Sequence, residues 1–145
     1  MLVAVCLLMR PESTAGRLAS LGGTFLVLAG VRLALAVLPF SLVTRLVVRL
    51  SSRRRWLPVR RPADVARRVA RVATLVPGAA CLPQAQAAAL LLSWHGHPSV
   101  VRFGVCREGR DVVAHAWVEH AGQVVLGGPD VSRYVPLVRG SLRDA

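Results

Sequence analysis

The sequence predicts an α+β domain preceded by an apolar helical segment, and three observations carry that reading. Up to residue 94 the apolar residues fall in long runs or at helical spacing, and from Val101 onward they alternate. Pro39, Pro62, Pro77-Gly78 and Gly109 punctuate the chain between these segments. The order is a buried helix followed by an antiparallel meander. At 145 residues the chain suits one domain with an appendage, and it shows no internal repeat.

The first segment poses a membrane question. Residues 2–8 are an apolar run closed by Arg10; residues 18–31 carry no charge, and residues 33–44, after Arg32, carry none either. Residues 1–50 therefore read as one or two apolar helices broken at Pro39. A spanning helix needs about 20 apolar residues, and this stretch reaches that length only with Arg32 near its centre. An arginine at mid-bilayer costs roughly 2.5–3.5 kcal/mol on insertion scales, which a run rich in Leu and Val can offset. Two placements stay open. One is a single span near residues 20–44, with the following arginines on the cytoplasmic side. The other is a helix lying on the membrane or against a partner, its arginines snorkelling. No small-residue cleavage site follows Leu8 closely, which disfavours a cleaved signal peptide.

Residues 51–62 read as a basic linker with two prolines, in which Trp56 is a candidate interfacial anchor. The expected division is residues 1–61, an arginine-rich apolar region setting location, and residues 62–145, the domain carrying the chemistry. Pro62 suits the first turn of a helix over residues 62–75, with Val65, Val69, Val72 and Leu75 on one face and Arg67, Arg68 and Arg71 on a solvated one. Pro77-Gly78 stops it. The helix over residues 82–94 is apolar nearly all round and so is expected to be buried on most sides. His95-Gly96-His97-Pro98 ends it. Val101, Phe103 and Val105 begin the first strand, Glu108-Gly109-Arg110 turns, residues 112–119 form the second strand, and residues 123–126 the third after a tight turn at His120-Ala121-Gly122.

Charge and cysteines narrow the classes. Nineteen basic residues face seven acidic ones, every basic residue is arginine, and more than half lie between Arg45 and Arg71. Such local charge points to an anionic surface or partner. Nucleic acid is not the expected partner, since the cluster has no interleaved aromatic but Trp56 and matches no recognition motif. Cys6, Cys81 and Cys106 are odd in number and form no CxxC pair, so they read as reduced thiols facing a cytosol.

Two residues suggest chemistry. Cys81 sits at the threshold of the buried helix, where unpaired amides and the positive dipole end favour a thiolate and offer donors to an oxyanion. His115 lies inside a strand between Ala114 and Ala116, which leave room around its ring. A helix-borne thiol and a strand-borne imidazole are the nucleophile and base of a papain-like site. By position alone, though, such a cysteine is more often a small buried hydrophobe, and such a histidine structural.

The residues around them form an ordered series: Cys81-Leu82-Pro83-Gln84-Ala85, Gly96-His97-Pro98, Phe103-Gly104-Val105, Ala114-His115-Ala116-Trp117-Val118-Glu119, Gly127-Gly128 and Tyr134-Val135-Pro136-Leu137. Over roughly residues 63–137 the chain resembles the B2 proteins of lasso-peptide biosynthesis, whose C-terminal domain is a transglutaminase-like cysteine protease. That resemblance implies a leader peptidase acting on a ribosomally made precursor peptide, with Cys81 matching the nucleophile and His115 the histidine. It further implies a separate leader-recognition protein and an ATP-dependent cyclase that closes the macrolactam, and no cofactor or metal. Many members place an aspartate about twelve residues after the histidine, where this chain has Gly127. Two other readings compete: a catalytically silent scaffold of the same fold at a membrane, and an arginine-rich nucleic-acid-binding module.

For the third catalytic residue the hairpin register favours Asp130. With Ala121 and Gly122 as the loop, His115 falls opposite Gly128, and Asp130 is its diagonal neighbour at roughly 7–8 Å between backbones. Asp111 and Glu119 share the face of His115 but lie about 13 Å away along the strand. A backbone carbonyl, a water or a remote side chain are the alternatives, and Asp130 has a competing role as the cap of the turn at Val131-Ser132-Arg133. Among lesser candidates, Trp117 is expected either to wall the site or to be a plain core tryptophan, and Gln84 either to assist the oxyanion or to lie on the helix surface. His95 and His97 match no metal-ligand spacing with Cys81 or Cys106; His120 reads as a solvated turn residue and Cys106 as inert.

Overall fold

The computed structural model describes residues 14–52 and 57–137; the run at residues 2–8, Cys6, Arg53, Arg54, Arg55 and Trp56 lie outside them. Helices α1 (Thr14–Val37), α2 (Phe40–Ser51), α3 (Pro62–Ala73) and α4 (Cys81–Trp94) come first. Strands β1 (Val100–Glu108), β2 (Asp111–His120), β3 (Gln123–Leu126) and β4 (Val135–Pro136) follow, with a 3-10 turn at Pro129–Arg133. The sheet is antiparallel in the order β3-β2-β1-β4, and the expected α+β arrangement is present. The two-residue β4, too short to carry a period, adds an edge beside β1.

Pro39 both ends α1 and starts α2. Its ψ of 140° turns the chain out of the helix, and its carbonyl accepts the amides of Leu42 (3.0 Å) and Val43 (3.2 Å). A proline at this place has no N–H to lose to the preceding helix. Helix α3 keeps Pro62 in its first turn and buries Val65, Val69 and Val72. It ends two residues earlier than its apolar spacing implies: Leu75 is 68% exposed, and Val76 takes the inward position in the turn that follows.

Helix α4 is the hub. Ala88 and Leu92 pack with Val65 and Val69 of α3 and with Val101, Ala116 and Val118 of the sheet. Ala87 joins Leu28 and Val31 of α1 with Val72, Val76 and Ala79. Leu90 joins Val43 and Val47 of α2. A helix apolar nearly all round is thus matched by neighbours nearly all round, as its sequence required. Burying Leu28, Val43 and Val47 contributes about 1.5–3 kcal/mol each, so helices from both sides of residue 61 share one core.

The last turn of α4 is tied to the chain that re-enters from the linker. The amide of Leu57 donates to the Trp94 carbonyl (3.0 Å), the Trp94 indole to Leu50 (3.2 Å), and the Ser93 hydroxyl to Ser51. His95 donates through Nδ1 to the Pro58 carbonyl (2.6 Å) and His97 through Nε2 to that of Arg60. Burial pushes the His95 imidazole below its ordinary value, against the opposing pull of the Pro58 bond, and the charges of Arg60 and Arg68 add to the depression. His120 donates through Nδ1 to Pro98 (2.7 Å) and sets its ring against that of His97, where a solvated turn residue was expected.

Candidate active site

Cys81 is the first residue of α4, and Ala80 before it provides no side-chain cap. The first turn of a helix leaves amides without intrahelical acceptors. Pro83 removes one of them, so those of Cys81 and Leu82 remain, pointing out of the helix start. Cys81 is half-buried, whereas Cys106 lies buried within β1. Gln84, on the next turn, swings its Nε2 back to the Ala79 carbonyl (2.7 Å) and steadies the loop that leads into the cysteine.

His115 reaches the same place from the sheet. Strand β3 pairs with β2 only as far as Val118, so at His115 the β3 side of β2 is an uncovered edge. There Cys81, Gln84, His115, Ala116 and the Leu126-Gly127-Gly128 turn line one cavity of about 330 Å³, with Ala70 of α3 at its wall. No hydrogen bond joins Cys81 and His115 among the described residues.

The partner of the imidazole is a backbone carbonyl. Nε2 of His115 lies 2.8 Å from the Gly127 oxygen. A carbonyl can only accept, so Nε2 carries the proton and Nδ1 is left as the basic nitrogen. Gly127 stands twelve residues after His115, and an aspartate does not fit there. Its φ is +128°, and a Cβ built on it would stand 2.3 Å from the Trp117 Cβ.

The structure does not bring Asp130 to the ring. It lies exposed in the first turn of the 3-10 segment, with no hydrogen bond to His115 among the described residues. The register explains this. His120 pairs with Gln123 and Glu119 with Val124 as expected, but a bulge then sets Val118 opposite Leu126. The extra residue shifts everything beyond it by one, and the positive φ of Gly127 and Gly128 takes the chain off the sheet. A bulge of one residue is invisible to a period-two pattern.

Aromatic rings hold the imidazole from the other side. Trp117 stacks near His115 with centroids 6.4 Å apart and planes 21° apart, and Tyr134 covers it at 4.9 Å. The Trp117 indole donates to Glu119 (2.9 Å), which also accepts from Arg102 (3.1 Å). The Trp117 bond above all, and then Arg102, hold the Glu119 carboxyl below the usual carboxylate range against the opposing effect of burial. Glu119 thus fixes the indole of Trp117, whose ring in turn stacks near His115. Gly104, facing His115 across the β1–β2 pair, makes room: a Cβ there would lie 2.9 Å from Trp117 and from Tyr134. Tyr134 and Gly104 lie outside the expected site residues, although a lone glycine within an alternating strand signals close approach of another group.

The arrangement offers a thiol at a helix start, an imidazole with one nitrogen anchored and one free, and unpaired amides beside the thiol. Those are the parts of thiol-based acyl transfer. Searches of curated proteins and of solved structures found no match. A family model described as the transglutaminase-like superfamily, which includes cysteine peptidases, matches residues 25–139. That match begins inside α1 and runs past β4, taking in the cavity and all four strands, and the chain belongs to the transglutaminase-like superfamily.

Proposed function

We propose that this protein is a cysteine peptidase that removes the leader from a ribosomally made lasso-peptide precursor before macrolactam closure. The observation that supports it most is the shared cavity, which Cys81 and His115 both line and where the His115 ring is held by the Gly127 carbonyl. In this reading Nδ1 of His115 takes the thiol proton, and the Cys81 sulfur attacks the scissile carbonyl. The Cys81 amide and the second N–H of Gln84 stabilise the oxyanion. The imidazolium then gives its proton to the leaving amine, and water, deprotonated by the same nitrogen, releases the acyl group from sulfur. The small walls at Ala70, Ala116, Gly127 and Gly128 leave a cleft for an extended peptide of small residues.

The partners in this reading are the precursor peptide, a separate leader-recognition protein and an ATP-dependent lasso cyclase. The test is to incubate the full chain with precursor and recognition protein and follow leader release by mass spectrometry. Release should stop with Cys81→Ala, and a brief reaction of the unaltered chain should trap a thioester adduct on Cys81. Processing undiminished by Cys81→Ala would leave the chain a scaffold of the same fold.

A further inference from the structure

Residues 14–52 hold four arginines and no acidic residue, and α1 and α2 turn much of their apolar surface to solvent. On α1, Leu18, Leu26, Leu33 and Val37 fall on one stripe, 65%, 72%, 65% and 73% exposed. On α2, Leu42, Leu46 and Leu50 recur every fourth residue, partly exposed, with Arg45 and Arg49 in solvent beside them. Leu26 and Leu50 line a common cavity of about 510 Å³, so the two stripes adjoin. A continuous apolar surface of this kind marks an interaction face.

Helix α1 is long and apolar enough to cross a membrane. Its other face, however, is already occupied. Thr24, Leu28 and Val31 are buried, and Leu28 and Val31 pack with Val72, Val76, Ala79 and Ala87. The Arg32 guanidinium lies over Gly78, where an added Cβ would come within 2.8 Å of Nε. Crossing a bilayer would strip Leu28 from the core and carry Arg32 into hydrocarbon. Lying along the surface costs neither.

We propose that the α1–α2 face docks in the plane of an anionic lipid bilayer. The stripe of α1 enters the acyl boundary, and Arg45 and Arg49 meet headgroup phosphates. Charge favours lipid over a second copy of the chain, because two such faces would bring arginines together with no carboxylate on either to meet them.

The test is sedimentation of the full chain with vesicles of phosphatidylcholine, alone or mixed with phosphatidylglycerol; it reads no peptidase activity, so its outcome is separate from that of the function above. Binding should favour the anionic vesicles, fall roughly thirtyfold in Arg45→Gln/Arg49→Gln, and be reversed by alkaline carbonate. Leu26→Gln/Leu33→Gln should abolish binding with an unchanged circular dichroism spectrum, since neither side chain is in the core. Retention after carbonate would mean a spanning helix and overturn the proposal. So would absence of vesicle binding, or a full-length dimer that the leucine variant converts to monomer.

Discussion

The C-terminal end of α4 runs into fixed partners: the indole of Trp94, the rings of His95 and His97 and the hydroxyl of Ser93 all reach backbone carbonyls between Leu50 and Arg60. Gly96, at φ +86°, lets the chain fold back so that the His97 amide closes on Leu92 (2.8 Å). The N-terminal end has no side-chain cap, a proline in its first turn and a cysteine at the opening of a cavity. A helix left uncapped loses roughly 1 kcal/mol. Here the latches at one end and burial on all sides let the other end keep its amides free. The comparison teaches that anchorage and an open, uncapped start are separated along a single helix.

That separation can be broken by experiment. The largest effect is expected from His115→Ala, which should slow leader release by roughly 10²–10⁴-fold while a thermal melt shifts little. Loss of cooperative folding in that variant would mean that the N-terminal end is also structural. Gly127→Asp, which places a carboxylate twelve residues after His115, should destabilise by roughly 2–4 kcal/mol through the collision with Trp117 and the positive φ. It should also lower activity, and a gain in rate would show that the carbonyl is a poor substitute for a carboxylate.

At the other end, His95→Ala should cost about 2 kcal/mol by denaturant melt, from the lost Pro58 bond and the cavity left behind. Single-turnover cleavage well below the melting temperature should hardly change; a matching loss of rate would join the two ends. The pH dependence sharpens the same point. His95 has a folded pKa below its unfolded value of 6.5, so just below that value the unfolded chain binds more protons. Stability is therefore full above 6.5 and falls as pH drops below it toward the folded pKa. The slope should be shallower in His95→Ala, and an unaltered slope would assign it to other groups. The smallest effect is expected from Asp130→Asn, within about twofold in rate, because the carboxylate stands in solvent. A loss comparable to that of His115→Ala would restore Asp130 as the orienting group.

Much of this is legible in the amino-acid sequence. The apolar circumference of residues 82–94 could only be a hub, the break at Pro39 follows from its ring, and alternation from Val101 requires strands. Cys81 and His115 stand out as candidates because a thiol at a helix start and an imidazole between alanines are local features. Ala121 and Gly122, both at positive φ, form the hairpin turn that their sequence implied.

What escaped were relations between distant segments. The bulge at Val118/Glu119 alters which residue faces His115, and no local pattern encodes one extra residue in a strand. The Gly127 carbonyl is a backbone group that every residue possesses, so its role depends on where the turn carries it. The expected division at residue 61 rested on composition, yet composition does not say that Leu28 and Val47 close the far sides of α4. The sequence by itself determined the elements, their burial pattern and the candidate pair Cys81 and His115, since those depend on periodicity and on residue chemistry within a few positions. Only the tertiary structure decided the orienting group, the aromatic cover from Trp117 and Tyr134, and which face of α1 stays open, because each depends on register and packing between segments remote in the chain.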